Sequence, residues 1–284
     1  LGPKYKHWAR YRVGYGRLLE AGFTASQDAG EPFFTGRNRW GYDFYSFYIA
    51  MRNAGKVKAA VAGRYRLRLG MGLVMNTDFT FGKAASLLSL TRTTNSLRPH
   101  SSRMEANYLQ GVGATVALSR HAELTSFFSH RLVDATLNSD SSTVKTLLKT
   151  GYHRTRSEME RRRNTWQTTG GASLALRSGP WRVALSGVAT TFNRRLLPDT
   201  SVVYRRYSAV GKSFINGSLS YSYSSPLLRV AGETATGSTG GLAALHSVGV
   251  SPSSRLDVAL VHRYYSYRYR SLFAAGFSDG GAIN

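Results

Sequence analysis

The feature that most constrains this chain is the stretch KVKAAVAGRYRLRLG, residues 56–70, in which apolar and basic residues take turns. Val57, Ala59, Val61, Gly63, Tyr65, Leu67 and Leu69 share one face, and Lys56, Lys58, Ala60, Ala62, Arg64, Arg66 and Arg68 share the other. Successive side chains point to opposite sides of a strand, so a period of two predicts a strand with two unlike faces. Sustained over about fourteen residues, it gives roughly 46 Å of extended chain, well beyond the common strand of about five or six residues. Strands of that length are a habit of barrels.

The pattern recurs along the chain. In INGSLSYSYSS, Ile215, Gly217, Leu219, Tyr221 and Tyr223 alternate with Asn216, Ser218, Ser220, Ser222 and Ser224, a greasy face backed by a wet one. In KYKHWARYRVGYG, Lys4, Lys6, Arg10 and Arg12 fall on one face with Trp8, opposite Tyr5, Ala9, Tyr11, Val13 and Tyr15. Residues 17–25, 42–53, 105–119, 122–132, 145–155, 166–177, 180–192, 226–235, 241–250 and 255–270 complete a set of about thirteen predicted strands. Tight connections are predicted at 119–122, 177–180 and 251–254, and longer polar ones at 26–41, 71–104, 133–144, 154–164 and 193–205. Residues 82–92 carry a weak helical pattern and predict a short segment in the lumen or on the periplasmic side. No repeat with a fixed period of about 20 to 50 residues is visible, which disfavours a propeller or solenoid.

No stretch approaches the roughly 18 consecutive apolar residues of a spanning helix, so strands must make any crossing of a bilayer. Only a closed barrel satisfies strand backbone groups there, and arginine on its lipid face at midplane depth costs about 2 to 4 kcal/mol. Arg64, Arg66 and Arg68 are therefore expected to face a lumen, with Tyr65, Leu67 and Leu69 facing lipid. Tyr264, Tyr265, Tyr267 and Tyr269 crowd one end of the last predicted strand, as an interfacial aromatic girdle requires. The predicted fold is an all-β, antiparallel transmembrane β-barrel of about thirteen or more strands. Residues 1–284 form a single domain of it. The alternative is a soluble sandwich, which would need helices, linkers or a second sheet to cover so many apolar faces.

Composition bears on partners. Lys and Arg number 38 against 15 acidic residues, a formal net charge of +23, so a surface or channel of this protein attracts anions: nucleic acid, lipopolysaccharide phosphates or acidic polysaccharide. The expected cationic lumen face comprises Lys4, Lys6, Arg10, Arg12, Lys56, Lys58, Arg64, Arg66 and Arg68. HRTRSEMERRRN, residues 153–164, brings Arg154, Arg156, Arg161, Arg162 and Arg163 into one loop that can grip phosphates bidentately, with Glu158 and Glu160 offsetting part of the charge.

There is no cysteine, which excludes disulfides, thiolate metal sites and cysteine nucleophiles. The seven histidines show no metal-ligand spacing, so no metal is expected. Ser129 and His130 are the nearest thing to a nucleophile beside a base, and adjacency in a strand puts them on opposite faces, so no catalytic residues are assigned and no enzyme is expected. No phosphate-binding glycine loop occurs, and no cofactor is assigned. Gly14, Gly16 and Gly63 are expected to be points where strands kink or pack closely.

The segment EAGFTASQDAGEPFFTG, followed by GYDFYSFYIAMRNAGKVKAAVAGRYRLRLGMGLVMNTDFTFGKAASL, resembles a family of Bacteroidetes envelope proteins described as helix-hairpin-helix domain-containing. Asp28-Ala29-Gly30-Glu31-Pro32-Phe33-Phe34, Gly41-Tyr42-Asp43-Phe44, Gly70-Met71-Gly72-Leu73 and Phe81-Gly82-Lys83 carry the likeness, with His262-Arg263-Tyr264-Tyr265-Ser266 and Phe277-Ser278-Asp279-Gly280-Gly281 near the end. In that family a ComEA-like DNA-binding module precedes a β-rich region that looks like an outer-membrane barrel. The module is not in these residues, and the chain ends Gly281-Ala282-Ile283-Asn284 without the aromatic closing strand of such barrels, so a fragment with closing strands missing is expected. The resemblance implies the bacterial outer membrane and DNA uptake. Three readings stay open: a cationic conduit or binding platform for DNA or another anionic polymer; a structural or complex-forming barrel with a plugged lumen; and a soluble basic β protein that binds nucleic acid. Expected partners are outer-membrane lipid and lipopolysaccharide, DNA or a similar polymer, and other envelope proteins.

Overall fold

The structure, a computed structural model, describes residues 2–78, 90–253 and 255–277. It is all-β: among the described residues there are fifteen strands, joined into one sheet, with a five-residue helix and a short 3-10 turn at Val203–Arg205. The strands are β1 (His7–Tyr15), β2 (Leu19–Gln27), β3 (Phe44–Ala54), β4 (Val57–Arg68), β5 (Ser96–Pro99), β6 (Leu109–Ala117), β7 (Ala122–Val133), β8 (Ala135–Leu137) and β9 (Val144–Leu147). The helix α1 (Arg156–Glu160) precedes β10 (Thr165–Ser178), β11 (Trp181–Leu196), β12 (Gly211–Ser224), β13 (Leu228–Gly237), β14 (Leu242–Ser253) and β15 (Leu256–Tyr265).

Twelve strands make a continuous wall in the order β1-β2-β3-β4-β6-β7-β10-β11-β12-β13-β14-β15, each paired antiparallel with the next. Among the described residues β1 and β15 do not pair, so the sheet is an unclosed barrel. Its connections alternate. Residues 16–18, 55–56, 118–121, 179–180 and 225–227 are tight turns at one end, where β14 also gives way to β15. At the other end 28–43, 69–108, 134–164 and 197–210 are long, and only 238–241 is short. The shortest turns use the expected chemistry: Gly179 adopts φ +54 at the first central position of the Gly179-Pro180 hairpin, a place reserved for glycine.

The wall inverts the usual burial rule. Along β11, Trp181, Val183, Leu185 and Ala189 point outward while Arg182, Ser186 and Thr190 are buried; along β12, Ile215 and Leu219 point outward while Asn216, Ser218, Ser220 and Ser222 are buried. Leu185 is 64% exposed and Ile215 62%, against 3% for Ser186 and 1% for Ser220. Register sets like beside like: Leu185 faces Leu219, and Ser186 faces Ser218. The apolar belt continues through Tyr11, Val13, Phe47, Ile49, Val112, Leu174, Val258 and Leu260.

What the serines are buried against is a segment of the same chain. The three basic and three apolar residues from Arg64 to Leu69 were expected to divide between lumen and lipid, and the structure corrects this. Tyr65, Leu67 and Leu69 are fully buried. The cause is Gly63, at φ +99, where β4 parts from β3 after the Tyr48↔Gly63 pair and takes β5 as its neighbour instead. A side chain at Gly63 would meet the Phe47 carbonyl oxygen at 2.4 Å, so the two backbones come this close only around a glycine. Beyond it the chain runs inside, and both of its faces are enclosed. Tyr65, Leu67, Leu69, Met71, Leu73 and Leu97 pack with inward residues of the wall, among them Tyr48, Phe127, Val188, Ala231 and Leu245, in one core.

Two other expectations are corrected. Residues 145–155 do not form a wall strand: β9 covers only Val144–Leu147, pairs with β8 and touches β11 at Leu196, and Gly151, at φ +69, lies in the loop that follows. Among the described residues the wall accordingly has twelve strands, and three short ones lie off it. The helical pattern expected at 82–92 falls mostly outside the described residues; 90–92 form a turn and coil.

Candidate functional site

Two constructions stand out: the filling of the barrel and the network that fixes its long-loop end. The filling segment, 64–78 and 90–100, is hydrogen-bonded to five consecutive wall strands. Asn95 Nδ2 donates to Ser173 of β10 (2.9 Å), and Arg182 of β11 donates to Thr93 Oγ1 (3.1 Å). Thr93 Oγ1 donates in turn to Ser222 of β12 (3.0 Å), and Ser247 of β14 donates to the Leu90 carbonyl (2.6 Å). On β13, Glu233 is fully buried and its Oε2 accepts from the backbone of Met71 (2.6 Å) and Leu73 (3.3 Å). Arg182 and Ser222 lie next to the tight turns, so the segment reaches from the long loops to the opposite rim. The 266–277 tail folds over it: Tyr269 donates to the Leu73 carbonyl (2.8 Å), Ser271 to that of Val74 (2.8 Å), and Asn76 N to that of Phe273 (2.9 Å).

At the long-loop end, His153 sits between two carboxylates from distant parts of the chain. Its Nδ1 lies 2.6 Å from Asp43 and its Nε2 2.9 Å from Asp134, with the ring almost wholly buried. Burial alone would push the imidazolium pKa down; the hydrogen bonds to Asp134 and Asp43 outweigh it and hold the ring up at about 9. Burial likewise favours the neutral form of Asp43, and the His153 hydrogen bond and charge with Arg162 overcome it, leaving the carboxyl below its usual range. Arg162 reaches Asp43 Oδ1 at 3.2 Å and Asn38 Oδ1 at 2.7 Å, and Arg163 donates to the Asp43 carbonyl at 3.0 Å. The arrangement is a charged pin that ties loops 28–43, 134 and 148–164 together.

Glu31, Asp43 and His153 offer atoms within 4.8 Å of one another, the spacing of a metal site. Their donor sets are already used within the protein. Glu31 accepts from the backbone of His153 and Asp28, Asp43 accepts from Asn38, Arg162 and His153, and both ring nitrogens of His153 face carboxylates. Nearby Glu105 is pushed up to about 9 by burial and by the charges of Asp43 and Glu31, so it holds its proton at neutral pH.

The residues singled out from the sequence distribute unevenly. Lys4 and Lys6 precede β1, and Lys6 is paired with Asp28. Arg10 and Arg12 share the inward side of β1 with Trp8, Arg10 lying over its ring at 5.3 Å and Arg12 lying 3.8 Å from Glu20. Lys56 is in a tight turn, and Lys58 at the same rim meets Glu123 at 3.4 Å. Arg64 is sandwiched between Phe44 and Tyr108, 4.5 Å from each ring, and Arg66 pairs with Asp78 at 3.5 Å. Arg68 lies with them inside the barrel, half-buried. These nine residues therefore do not form one continuous face.

In the basic loop, Arg154 is paired with Glu158 (3.2 Å) and stacked on Tyr152 (4.1 Å), while Arg162 and Arg163 serve the pin; Arg156 and Arg161 are exposed on and beside α1. Thr155 caps this helix in a reciprocal capping box with Glu158, a local reason for the chain turning there. Of the four tyrosines expected in a girdle, only Tyr264 is on the outward wall. Tyr265 donates inward to the Phe277 carbonyl, Tyr267 packs at a tilt against Tyr207 beyond the strand, and Tyr269 is fully buried, which corrects that expectation for Tyr265 and Tyr269. Outward aromatics do occur at both ends of the wall, with Trp181 and Tyr223 in contact at the tight-turn end and Trp166 stacked on His130 at the other. Ser129 and His130 lie on opposite faces, the serine turned inward and accepting from Gln110 N.

Sequence reasoning missed Asp43, Asp134 and Glu233. Asp43 and His153 are 110 residues apart, and an isolated acid in a strand or loop carries no local signal. No known protein family profile matches the chain, and no curated protein is similar to it.

Proposed function

We propose that this chain is a transmembrane β-barrel of a bacterial outer membrane whose lumen is kept shut by its own segments 64–78 and 90–100 and by the 266–277 tail, acting as a membrane-embedded platform or complex subunit. The observation that carries the membrane assignment is the inverted wall: leucines and isoleucines exposed, serines and threonines buried, strand after strand. In water that belt would be a large exposed apolar surface, whereas hydrocarbon accommodates it and penalises the reverse. The outward run from Trp181 to Ala189 is roughly 27 Å at about 3.4 Å per residue, close to the ~25 Å apolar band of such barrels once tilt is allowed for. Tight turns at one end and long loops at the other support the same reading.

The plugged state is favoured by the hydrogen bonds from the segment to β10–β14 and by the shared apolar core. A second reading, a gated conduit for DNA or another anionic polymer as the resemblance to Bacteroidetes envelope proteins implies, is favoured by the hydroxyl-rich inner wall that displacement of the segment would uncover. Two measurements test these ideas. The purified protein is expected to need detergent and to show heat-modifiable gel migration; migration unchanged by boiling would overturn the membrane reading. In planar bilayers the wild type is expected to be silent, whereas Glu233→Ala, which strips the acceptor from two buried N–H groups at a cost of about 1 to 3 kcal/mol each, is expected to open transient conductance. Steady anion-selective current in the wild type would favour the conduit instead.

A further inference from the structure

At the long-loop end, next to the pin and sharing Arg131, Val133 and Leu148 with its surroundings, lies a cavity of about 360 Å³ walled by residues 106–107, the β7 end, β9 and the two residues after it, residues from 205–209 and the 270–274 tail. That size falls in the range of roughly 300 to 1,000 Å³ typical of small-molecule sites. Among the described residues five cations line it, Arg131, Lys145, Lys149, Arg205 and Arg270, and no acidic residue does. Asp199 stands near enough to Lys145 and Arg205 for their charges to lower its pKa, after the larger effect of its Ser201 hydrogen bonds, so those two rim cations are partly offset.

Of the other three, Arg131 and Arg270 make their hydrogen bonds to neutral groups, and the charge of Asp134 also acts on Arg131. Arg131, 8% exposed, donates to Gln167 Oε1 (3.0 Å) and the Ala106 carbonyl (2.9 Å), and Arg270 donates to the carbonyls of Tyr207 (2.7 Å) and Tyr269 (3.0 Å). Lys149, exposed at the mouth of the cavity, makes no hydrogen bond or ion pair among the described residues, and its ammonium is disfavoured first by the protein crowded around it and then by the charge of Arg131. Arg131, Lys149 and Arg270 thus line one cavity with no acid among its described lining residues, Asp134 acting on Arg131 from outside that lining, and the same cavity presents Val133, Leu147, Leu196 and Phe273. Like charges gathered without an acid are destabilising on their own, and a dianion between them removes the repulsion while gaining charge-assisted hydrogen bonds.

We propose that this cavity binds a phosphate monoester carrying an apolar group, the phosphate held by Arg131, Lys149 and Arg270 and the apolar group lying against Val133 and Phe273. The site requires only the fold described above, and it stands whether or not the barrel conducts. Two sources share this chemistry, a soluble organic phosphate and a lipid headgroup of the monoester type.

The test is calorimetric titration of the full chain in zwitterionic nanodiscs with phenyl phosphate, benzyl alcohol and inorganic phosphate. Phenyl phosphate is expected to bind at one site, inorganic phosphate about tenfold more weakly, and benzyl alcohol not measurably. Lys149→Gln is expected to weaken phenyl phosphate about tenfold, as loss of a charge-assisted hydrogen bond should. Arg39→Gln, an exposed loop change at the same end with the same change in net charge, is expected to leave it within about twofold. Absence of binding, equal affinity for benzyl alcohol, or equal weakening by Lys149→Gln and Arg39→Gln would each overturn the proposal. Because Lys149 holds no described partner, its variant does not rely on a structural role. Nanodiscs containing phosphatidic acid separate the sources: competition with phenyl phosphate points to a headgroup, and unchanged binding points to a soluble ligand.

Discussion

β12 and the second half of β4 look alike as sequence and differ as structure. Both alternate strictly. In β12 the two faces meet different surroundings, Ile215 and Leu219 outside and Ser218 and Ser220 inside. From Arg64 to Leu69 the two faces meet the same interior, so Tyr65 and Arg64 are both buried, the tyrosine hydroxyl on the carbonyls of Val112 (3.1 Å) and Phe128 (2.8 Å) and the guanidinium between two rings. Alternation therefore reports that a strand has two faces, without reporting what each one touches.

The comparison is broken most sharply at Leu67. Truncation in a packed interior leaves a cavity, so Leu67→Ala is expected to lose about 2 to 5 kcal/mol in urea unfolding from detergent. The same change at outward Leu185 should lose under about 1 kcal/mol, since no packed cavity forms there. Equal losses at the two sites would mean the two strands do not differ as described. Next in size is Leu185→Arg, expected to lose about 2 to 4 kcal/mol in a bilayer, read as a smaller fraction refolding into lipid vesicles. A loss of about 0.5 kcal/mol or less would mean that position faces water.

Smaller is Arg64→Leu, which keeps bulk but removes the cation from between Phe44 and Tyr108. A loss of about 1 to 2 kcal/mol is expected from the two ring contacts, and the Gln110 hydrogen bond goes with it. The smallest expected effect is local, and it comes from the pin. His153 has a folded pKa of about 9, above the usual 6.5, so its contribution is fully present below pH 6.5 and is lost as pH rises through about 9. Asp43 and Asp134 are held below their usual 3.8, so theirs is present above that value and is lost as pH falls further. Hydrogen exchange in 28–43 and 148–164 is thus expected to be slowest between about pH 4 and 6.5 and to quicken above 9, with the wall strands unchanged. Protection in those loops that stays flat through pH 10 would remove the charged pin as their restraint.

Much of the wall was readable because a half-buried strand must repeat every two residues and a tight turn must supply special backbone angles. The faces of β1, β11 and β12 and the hairpin at Gly179 follow from those two requirements. The expected strand at 145–155 failed for a related reason: VKTL alternates for only four residues before Gly151 turns the chain, too little to hold a place in the wall. The pin was illegible, since Asp43, Asp134 and His153 belong to three different loops and none is unusual in its own neighbourhood.

By itself the sequence determined that this protein would be a sheet of long strands, each with an apolar and a polar side, strung on short turns at one end and long loops at the other. Those properties are local, fixed by neighbouring residues and by the pleat. Only the tertiary structure decided that the polar sides would turn inward onto a segment of the same chain, that Gly63 would send three arginines and their apolar neighbours there together, and that distant acids would trap His153. These outcomes depend on which surfaces are brought together by residues far apart in the chain, 110 apart for Asp43 and His153, and no neighbouring pair of side chains encodes that.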